Sequence, residues 1–317
     1  MKNDDFKYKT VPDFGKANVE KWSNEYFRKE GIKTGFKKTT EGKAPPPKHE
    51  KFGKQAAILI TRYMSLIKND RQRLIMILAQ PILIGILLAF VASDSVFDIY
   101  NGTKSILFAL SCAGIWVGLF NSIQEICKER VILKREYMAN LRLDSYVLSK
   151  FFVQLLISII QAILLVLVFV VTVGKPEGIL FDNPFFELFI TMTLTIFASS
   201  GIGLVVSAVS KNSDKAMTVA PFLLIIQLLF SGILFELSGL TEKISYLTVS
   251  KWSVAALGIS SNLNNLPSAG GIKRAFEDIF DFSASNLYET WIILGVFVLI
   301  CAAVSILLLR NVSNDSR

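Results

Sequence analysis

The chain has 317 residues, 52% of them hydrophobic, with a mean hydropathy of +0.47 and a formal charge of +8. That composition excludes an ordinary soluble domain. The charge is uneven: residues 1–57 hold fourteen Lys/Arg against eight Asp/Glu, so most of the net charge precedes the first apolar run. A basic segment beside an apolar helix points to anionic headgroups, and no platform of interleaved aromatics points to nucleic acid.

Residues 1–50 read as a flexible basic cytoplasmic segment: Lys, Gly and Thr are frequent, and Pro45-Pro46-Pro47 makes a stiff extended piece. A short helix fits Val19–Glu30, and the hydrophilic start predicts no cleavable signal peptide. Phe52, Ala56, Leu59, Ile60, Tyr63 and Ile67 then recur at helical spacing among Lys54, Arg62 and Lys68. Two readings fit that pattern: an amphipathic helix at the membrane interface, or a cytoplasmic extension of the first span.

Six runs follow that are long enough to cross a bilayer, which takes about 20 mostly apolar residues. They are Leu74–Ala92, Ser105–Ser122, Phe151–Val173, Phe186–Val209, Ala216–Phe235 and Trp291–Leu309. Backbone amides must be paired within lipid, so these runs predict an all-α membrane protein with six transmembrane helices. Lys/Arg crowd residues 50–73 and the links from span two to three and from four to five. The links from one to two and from three to four carry one lysine each, Lys104 and Lys175. The positive-inside rule then places both termini in the cytoplasm of a multi-pass plasma-membrane protein.

Within the spans, Gln80-Pro81 predicts a kink in span one, and Pro221 and Gln227 mark span five. Gln154 and Gln161 share one face of span three, either as interhelical packing bonds or as substrate contacts. Glu187 and Glu236 lie at span ends, where they could reach the interface. The link Glu125–Lys150 is charged but interrupted by Val131, Ile132, Leu133, Tyr137 and Leu141, which suits a short helix docking on a soluble partner better than a solvated loop. Trp252–Ile259 is apolar but too short to span, so it reads as re-entrant or interfacial, and Ser268–Glu289 as an external cap in a loop of about 236–289.

Some features are decoys. The spacing G-x-x-x-x-G-K-S/T is not met around Gly42-Lys43, and LSGLT at Leu237–Thr241 falls on the outer side. His49 is the only histidine, and Cys112, Cys127 and Cys301 lie within or near spans, so neither a metal site nor a catalytic triad is expected. Acid pairs within spans, the usual sign of a proton-coupled carrier, are missing too.

Glu129-Arg130, Arg135-Glu136-Tyr137, Ser145-Tyr146 and Ser149-Lys150 together resemble the E-R-x-x-F-x-R-E…Y-x-x-S-x-Y-x-x-S-K pattern of the membrane domain of the G (White) subfamily of ABC exporters and its bacterial relatives. Phe230-Ser231-Gly232-Ile233-Leu234 is similar to that family's F-S-G-L-L, Ala198-Ser199-Ser200 fits span four, and Lys251–Leu257 sits at its re-entrant helix. The likeness runs from about Phe52 to Leu309. Leu133 replaces an aromatic, Asn140 a glycine, and Ser250-Lys251 a proline-arginine pair.

The resemblance implies a permease subunit, residues 51–317, of an exporter made of two membrane halves and two ATPase domains. ATP and magnesium would sit on a partner nucleotide-binding subunit, expected as a separate polypeptide, with no cofactor and no catalysis in this chain. It implies coupling through Glu129, Arg130, Arg135, Glu136 and Tyr137. It implies a cavity for a hydrophobic or amphipathic substrate lined by Ala113, Trp116, Val117, Phe120, Asn121, Leu224, Gln227 and Leu228, and a plug of Ile233 and Leu234. For Trp116 and Phe120, core packing fits equally well. A non-transporting scaffold that recruits a cytoplasmic partner is the alternative; a secondary transporter would show inverted repeats and intramembrane charges.

Overall fold

A computed structural model describes residues 25, 28, 52–93, 96–235, 237–268 and 276–310. The chain divides into two units, 1–49 and 50–317, and the fold below is that of the second. Apart from Glu25 and Arg28, both helical, the N-terminal segment and the helix expected at Val19–Glu30 lie outside the described residues, as do Glu236 and Gly270-Gly271.

The described chain is all helical. In order the helices are α1 (Phe52–Asn69), α2 (Arg71–Val91), α3 (Tyr100–Ser122), α4 (Arg130–Met138), α5 (Leu143–Thr172), α6 (Phe185–Val209), α7 (Ser213–Leu229), α8 (Leu240–Ser245), α9 (Val249–Ser260) and α10 (Ala284–Leu309). Five of them, α2, α3, α5, α6 and α10, are long and apolar enough to cross a membrane.

The fifth expected span is shorter than its apolar run. Helix α7 has 17 residues, roughly 26 Å at 1.5 Å per residue, which is the lower limit for a crossing. It stops because Gly232 turns left-handed at φ +78° and the Ser231 hydroxyl donates to the Leu228 carbonyl at 2.8 Å. Ile233–Phe235 therefore leave the helix and form a turn.

Helix α1 is an element of its own. Asp70 sits in extended backbone between α1 and α2, and its carboxylate accepts the Arg73 N–H at 3.1 Å as an N-cap. Ala56, Leu59, Tyr63 and Ile67 form the buried face of α1, which packs on α5.

Helices α3 and α6 meet over small residues. A methyl on Gly118 would collide with the Ile196 carbonyl, and one on Gly203 with the Ser122 hydroxyl. Ser199 donates to the Ile115 carbonyl at 2.6 Å and Ser200 to that of Gly118 at 3.1 Å. Small residues and hydroxyls are what bring helices together in lipid, where no hydrophobic force acts between them.

The amides of α5 are packing groups. Gln154 donates to Ser200 at 3.1 Å. Gln161 answers the proline in α2. Pro81 has no N–H, so the carbonyl of Ile77, four residues back, lacks its helical donor. Gln161 Nε2 donates to that oxygen at 3.0 Å, while its Oε1 accepts from Asn121 at 2.6 Å. Gln161→Leu is expected to cost about 1–3 kcal/mol by stranding these groups. In a Pro81→Ala background the alanine N–H takes the Ile77 carbonyl, so the loss should shrink. A double-mutant cycle on thermal unfolding in detergent measures this, and strict additivity would contradict the pairing.

On the far side of the bundle, α9 is 12 residues long, about 18 Å, and nearly every side chain is buried among α3, α6 and α10. It covers the short apolar run Trp252–Ile259. Gly258 leaves room for the Phe280 ring, and Lys104 pairs with Glu277 at 2.8 Å, fastening residues 276–280 to α3. Glu187 departs from expectation. It is fully buried, because the 178–184 turn folds back over it: Oε1 accepts the N–H groups of Ile179, Leu180 and Phe181 at 2.6, 2.5 and 3.2 Å.

Candidate coupling site and apolar face

After α3 the chain makes a 3-10 turn, Cys127–Glu129, and enters α4. The root of this link is fixed to α6. The N–H groups of Ile126 and Cys127 donate to the Ser207 hydroxyl at 2.9 and 3.0 Å. Arg130 donates to the carbonyls of Ala208 and Ser210 at 2.9 and 3.0 Å, satisfying the end of α6. Leu133 is fully buried, and Tyr137 packs half-buried against the same core. The helix ends at Asn140, φ +78°, where the resembling sequences carry glycine; asparagine is the non-glycine residue that best tolerates this conformation.

Beside the link lies a buried ionic cluster. Lys150, 3% exposed, places its Nζ 2.8 Å from Glu129 and 3.9 Å from Glu125. Arg73 donates to Glu125 at 2.7 Å and to the Tyr63 hydroxyl at 3.0 Å. The Tyr63 hydroxyl donates to Glu125, and that of Tyr146 to Glu129 at 3.1 Å. Lys150 Nζ also lies 3.7 Å from the centre of the Tyr63 ring. Burial, then the neighbouring Glu125 carboxylate, push the Tyr63 pKa up, so the hydroxyl keeps the proton that it donates. Two carboxylates face two cations, so the cluster is neutral as a whole. It joins α1, α2, the link and α5. A second tie, Arg62–Glu136 at 2.5 Å, holds α4 to α1.

The structure thus turns Glu129 and Arg130 inward, pairs Glu136 with Arg62, and leaves Arg135 exposed. Sequence reasoning did not count Glu125, Arg73, Lys150, Tyr63 and Tyr146 as couplers. Their signal was position: Glu125 and Lys150 are charges at the ends of apolar runs, where a buried partner is the cheapest arrangement. On the outer surface of α4, Val131, Ile132 and Met138 are exposed, Val131 at 71%.

The residues expected to line a cavity divide. Trp116 is 49% exposed and stacks on Phe120 with ring centres 5.0 Å apart. Ala113 and Val117, one turn apart on another face of α3, are enclosed in the core, so within one chain they pack against protein. Asn121 is engaged by Gln161. Leu224 is buried and Leu228 half-buried. The Gln227 side chain accepts the Ser250 N–H at 3.0 Å at the start of α9. Among the exposed residues of α7 are the large apolar side chains Val219, Phe222, Ile225, Ile226 and Leu229. Ile233 packs half-buried against Tyr100, Val254, Leu263 and Phe280, while Leu234 is exposed.

The sequence profile of the ABC-2 type transporter family matches residues 54–265, two thirds of the chain, from α1 past the end of α9. The chain belongs to that family. As an ABC-2 protein it is a membrane permease component of an ABC transporter. It is similar to the ABC transporter ATP-binding/permease protein Rv1747 of Mycobacterium tuberculosis, 26% identical over 231 residues. The aligned part is 69% of this chain and 27% of the relative, so the chain spans about a quarter of that protein's length. The link, the ionic cluster and α9 of this ABC-2 permease all fall inside the family match.

Proposed function

We propose that this ABC-2 permease exports a hydrophobic or amphipathic substrate such as a lipid, a peptide or a drug-like molecule, driven by ATP hydrolysis on a nucleotide-binding partner at α4. The observation that carries the reading is the mounting of α4. Its outer surface is exposed and apolar, while its root is tied to α6 by Arg130, to α1 by Glu136, and to α1, α2 and α5 through the cluster around Lys150. Force applied to α4 reaches four helices through ion pairs and the hydrogen bonds of Arg130, and rigid-body motion of packed helices is a known route for such signals.

On this reading α7 completes the sixth crossing, both termini and α4 share the cytoplasmic side, and the protein sits in the plasma membrane. Two membrane halves, alike or different, face each other across α3 and α7. Trp116, Phe120 and the exposed aliphatic side chains of α7 suit an apolar cargo. Ala113, Val117, Asn121, Leu224, Gln227 and Leu228 support that wall from behind, and Ile233 and Leu234 close the outer end. ATP is hydrolysed on the nucleotide-binding partner, and the spacing G-x-x-x-x-G-K-S/T does not occur in the sequence given.

The test uses the full tagged chain with the ATPase that co-purifies in mild detergent. Val131→Asp places a charge on the exposed surface of α4 and touches no internal contact, so it should reduce recovery of the ATPase at least about fivefold, since an unpaired charge in an interface costs more than 1 kcal/mol. Arg135→Ala should lower substrate-stimulated ATP turnover with the thermal midpoint unchanged. Undiminished recovery and turnover in both variants would refute docking at α4. Direction is read separately, as ATP-dependent accumulation of a fluorescent phospholipid or peptide in inside-out vesicles.

A further inference from the structure

Helices α1, α2 and α5 enclose a groove of about 450 Å³ on a side of the bundle formed by helices other than α3 and α7. That volume is in the range of sites for small organic ligands, about 300–1,000 Å³. Its walls are Ile60, Met64 and Ile67 of α1, Leu74, Ile77 and Leu78 of α2, and Leu156, Ile157 and Ile160 of α5. Three polar residues interrupt this lining, Thr61, Ser65 and Lys68. The two hydroxyl protons are already committed, to the carbonyls of Ala57 and Thr61, each at 2.9 Å. The charge at the rim therefore comes from Lys68, in the last turn of α1. Arg71, exposed at the first position of α2, stands across the one-residue elbow at Asp70. Neither Lys68 nor Arg71 has an ion-pair partner among the described residues.

We propose that this groove holds one acidic phospholipid as a resident ligand, from the leaflet in which α1 lies. Its acyl chain runs between α1, α2 and α5, and its phosphate meets Lys68 and Arg71 at the elbow. Two features favour an acidic lipid over neutral annular lipid. Lys68 lines the groove and Arg71 follows it three residues on, neither with an ion-pair partner among the described residues, and an amphipathic helix lies with its apolar face at headgroup depth, where such cations meet the phosphate. Because α1 carries both Tyr63 and Arg62, a lipid wedged beneath it would hold in place the helix to which α4 is tied. The proposal depends on the chain's membrane location and not on the direction of transport, so it stands or falls apart from export.

Native mass spectrometry of the full chain, released from detergent micelles with equimolar phosphatidylglycerol and phosphatidylcholine, tests it. One phosphatidylglycerol per chain should be retained in preference. Lys68→Ala and Arg71→Ala should each weaken that preference about fivefold, the scale of one basic residue at an acidic surface. Ile160→Trp fills the groove without altering charge and should displace the lipid altogether. Added inorganic phosphate should displace nothing, because the acyl chain anchors the ligand. Equal retention of both lipids, a preference untouched by all three variants, or displacement by phosphate alone would each overturn the proposal.

Discussion

Lys150→Met should be the most damaging single change in the α1–α5 region. The side chain is buried and its ammonium is one of two cations facing Glu125 and Glu129. Methionine fills similar space but removes the charge, leaving the buried Glu125 and the partly buried Glu129 with Arg73 as the one remaining cation. Breaking a buried pair in this way typically costs about 3–5 kcal/mol, because the stranded charge remains out of water. The variant should lose most of its folded, monodisperse fraction in detergent, and its thermal midpoint should fall well below that of the parent. A second change makes the argument specific to charge. Glu129→Gln in the Lys150→Met background restores one carboxylate to one cation, so part of the loss should return, although Glu129→Gln alone is destabilising. A double variant no better than Lys150→Met would show that packing, not charge balance, governs the site.

The second large effect is expected at the α3–α6 contact. Gly118→Ala puts a methyl against the Ile196 backbone oxygen, which cannot rotate away as a side chain can. Overpacking of this kind costs about 1–3 kcal/mol, and Gly118→Val should cost more. The same contact holds the Ser199 and Ser200 hydrogen bonds, so separating the helices releases those too. Gly295 is the control. It lies in α10 with open space where a methyl would go, so Gly295→Ala should be neutral or stabilising by up to about 1 kcal/mol through helix propensity. Unfolding followed in the same detergent compares the two, and equal effects at both glycines would contradict close packing as the cause.

Much of this architecture was legible as a sequence because lipid leaves the backbone few options. Apolar runs of 18–24 residues became α2, α3, α5, α6 and α10, and the shorter run at Trp252–Ile259 became the buried α9. The spacing of Ala56, Leu59, Tyr63 and Ile67 marked the buried face of α1. What escaped depends on contacts between distant residues. Pro81 and Gln161 each stood out, but that one completes the hydrogen bond the other lacks follows only from the approach of α2 and α5. Glu187 read as an interfacial acid because nothing local shows the 178–184 turn folding over it. Gly232 ended α7 early inside a run whose hydropathy continues to Phe235. In the candidate site the motif residues Glu129, Arg130 and Glu136 were visible by type. Their partners, Lys150, the carbonyls of Ala208 and Ser210, and Arg62, come from distant parts of the chain, and Val117 could not be told from Trp116 without knowing which face of α3 meets α6.

The role of α4 rests on the side of the membrane that it occupies. Met138 is exposed on α4, while Cys112 is half-buried and Cys127 and Cys301 are buried, so Met138→Cys provides a reporter with little competition from native thiols. Intact cells treated with a membrane-impermeant maleimide should leave this cysteine unmodified, and labelling should appear once the cells are permeabilised. Labelling of Met138→Cys in intact cells would put α4 outside, beyond the reach of any ATP-binding partner.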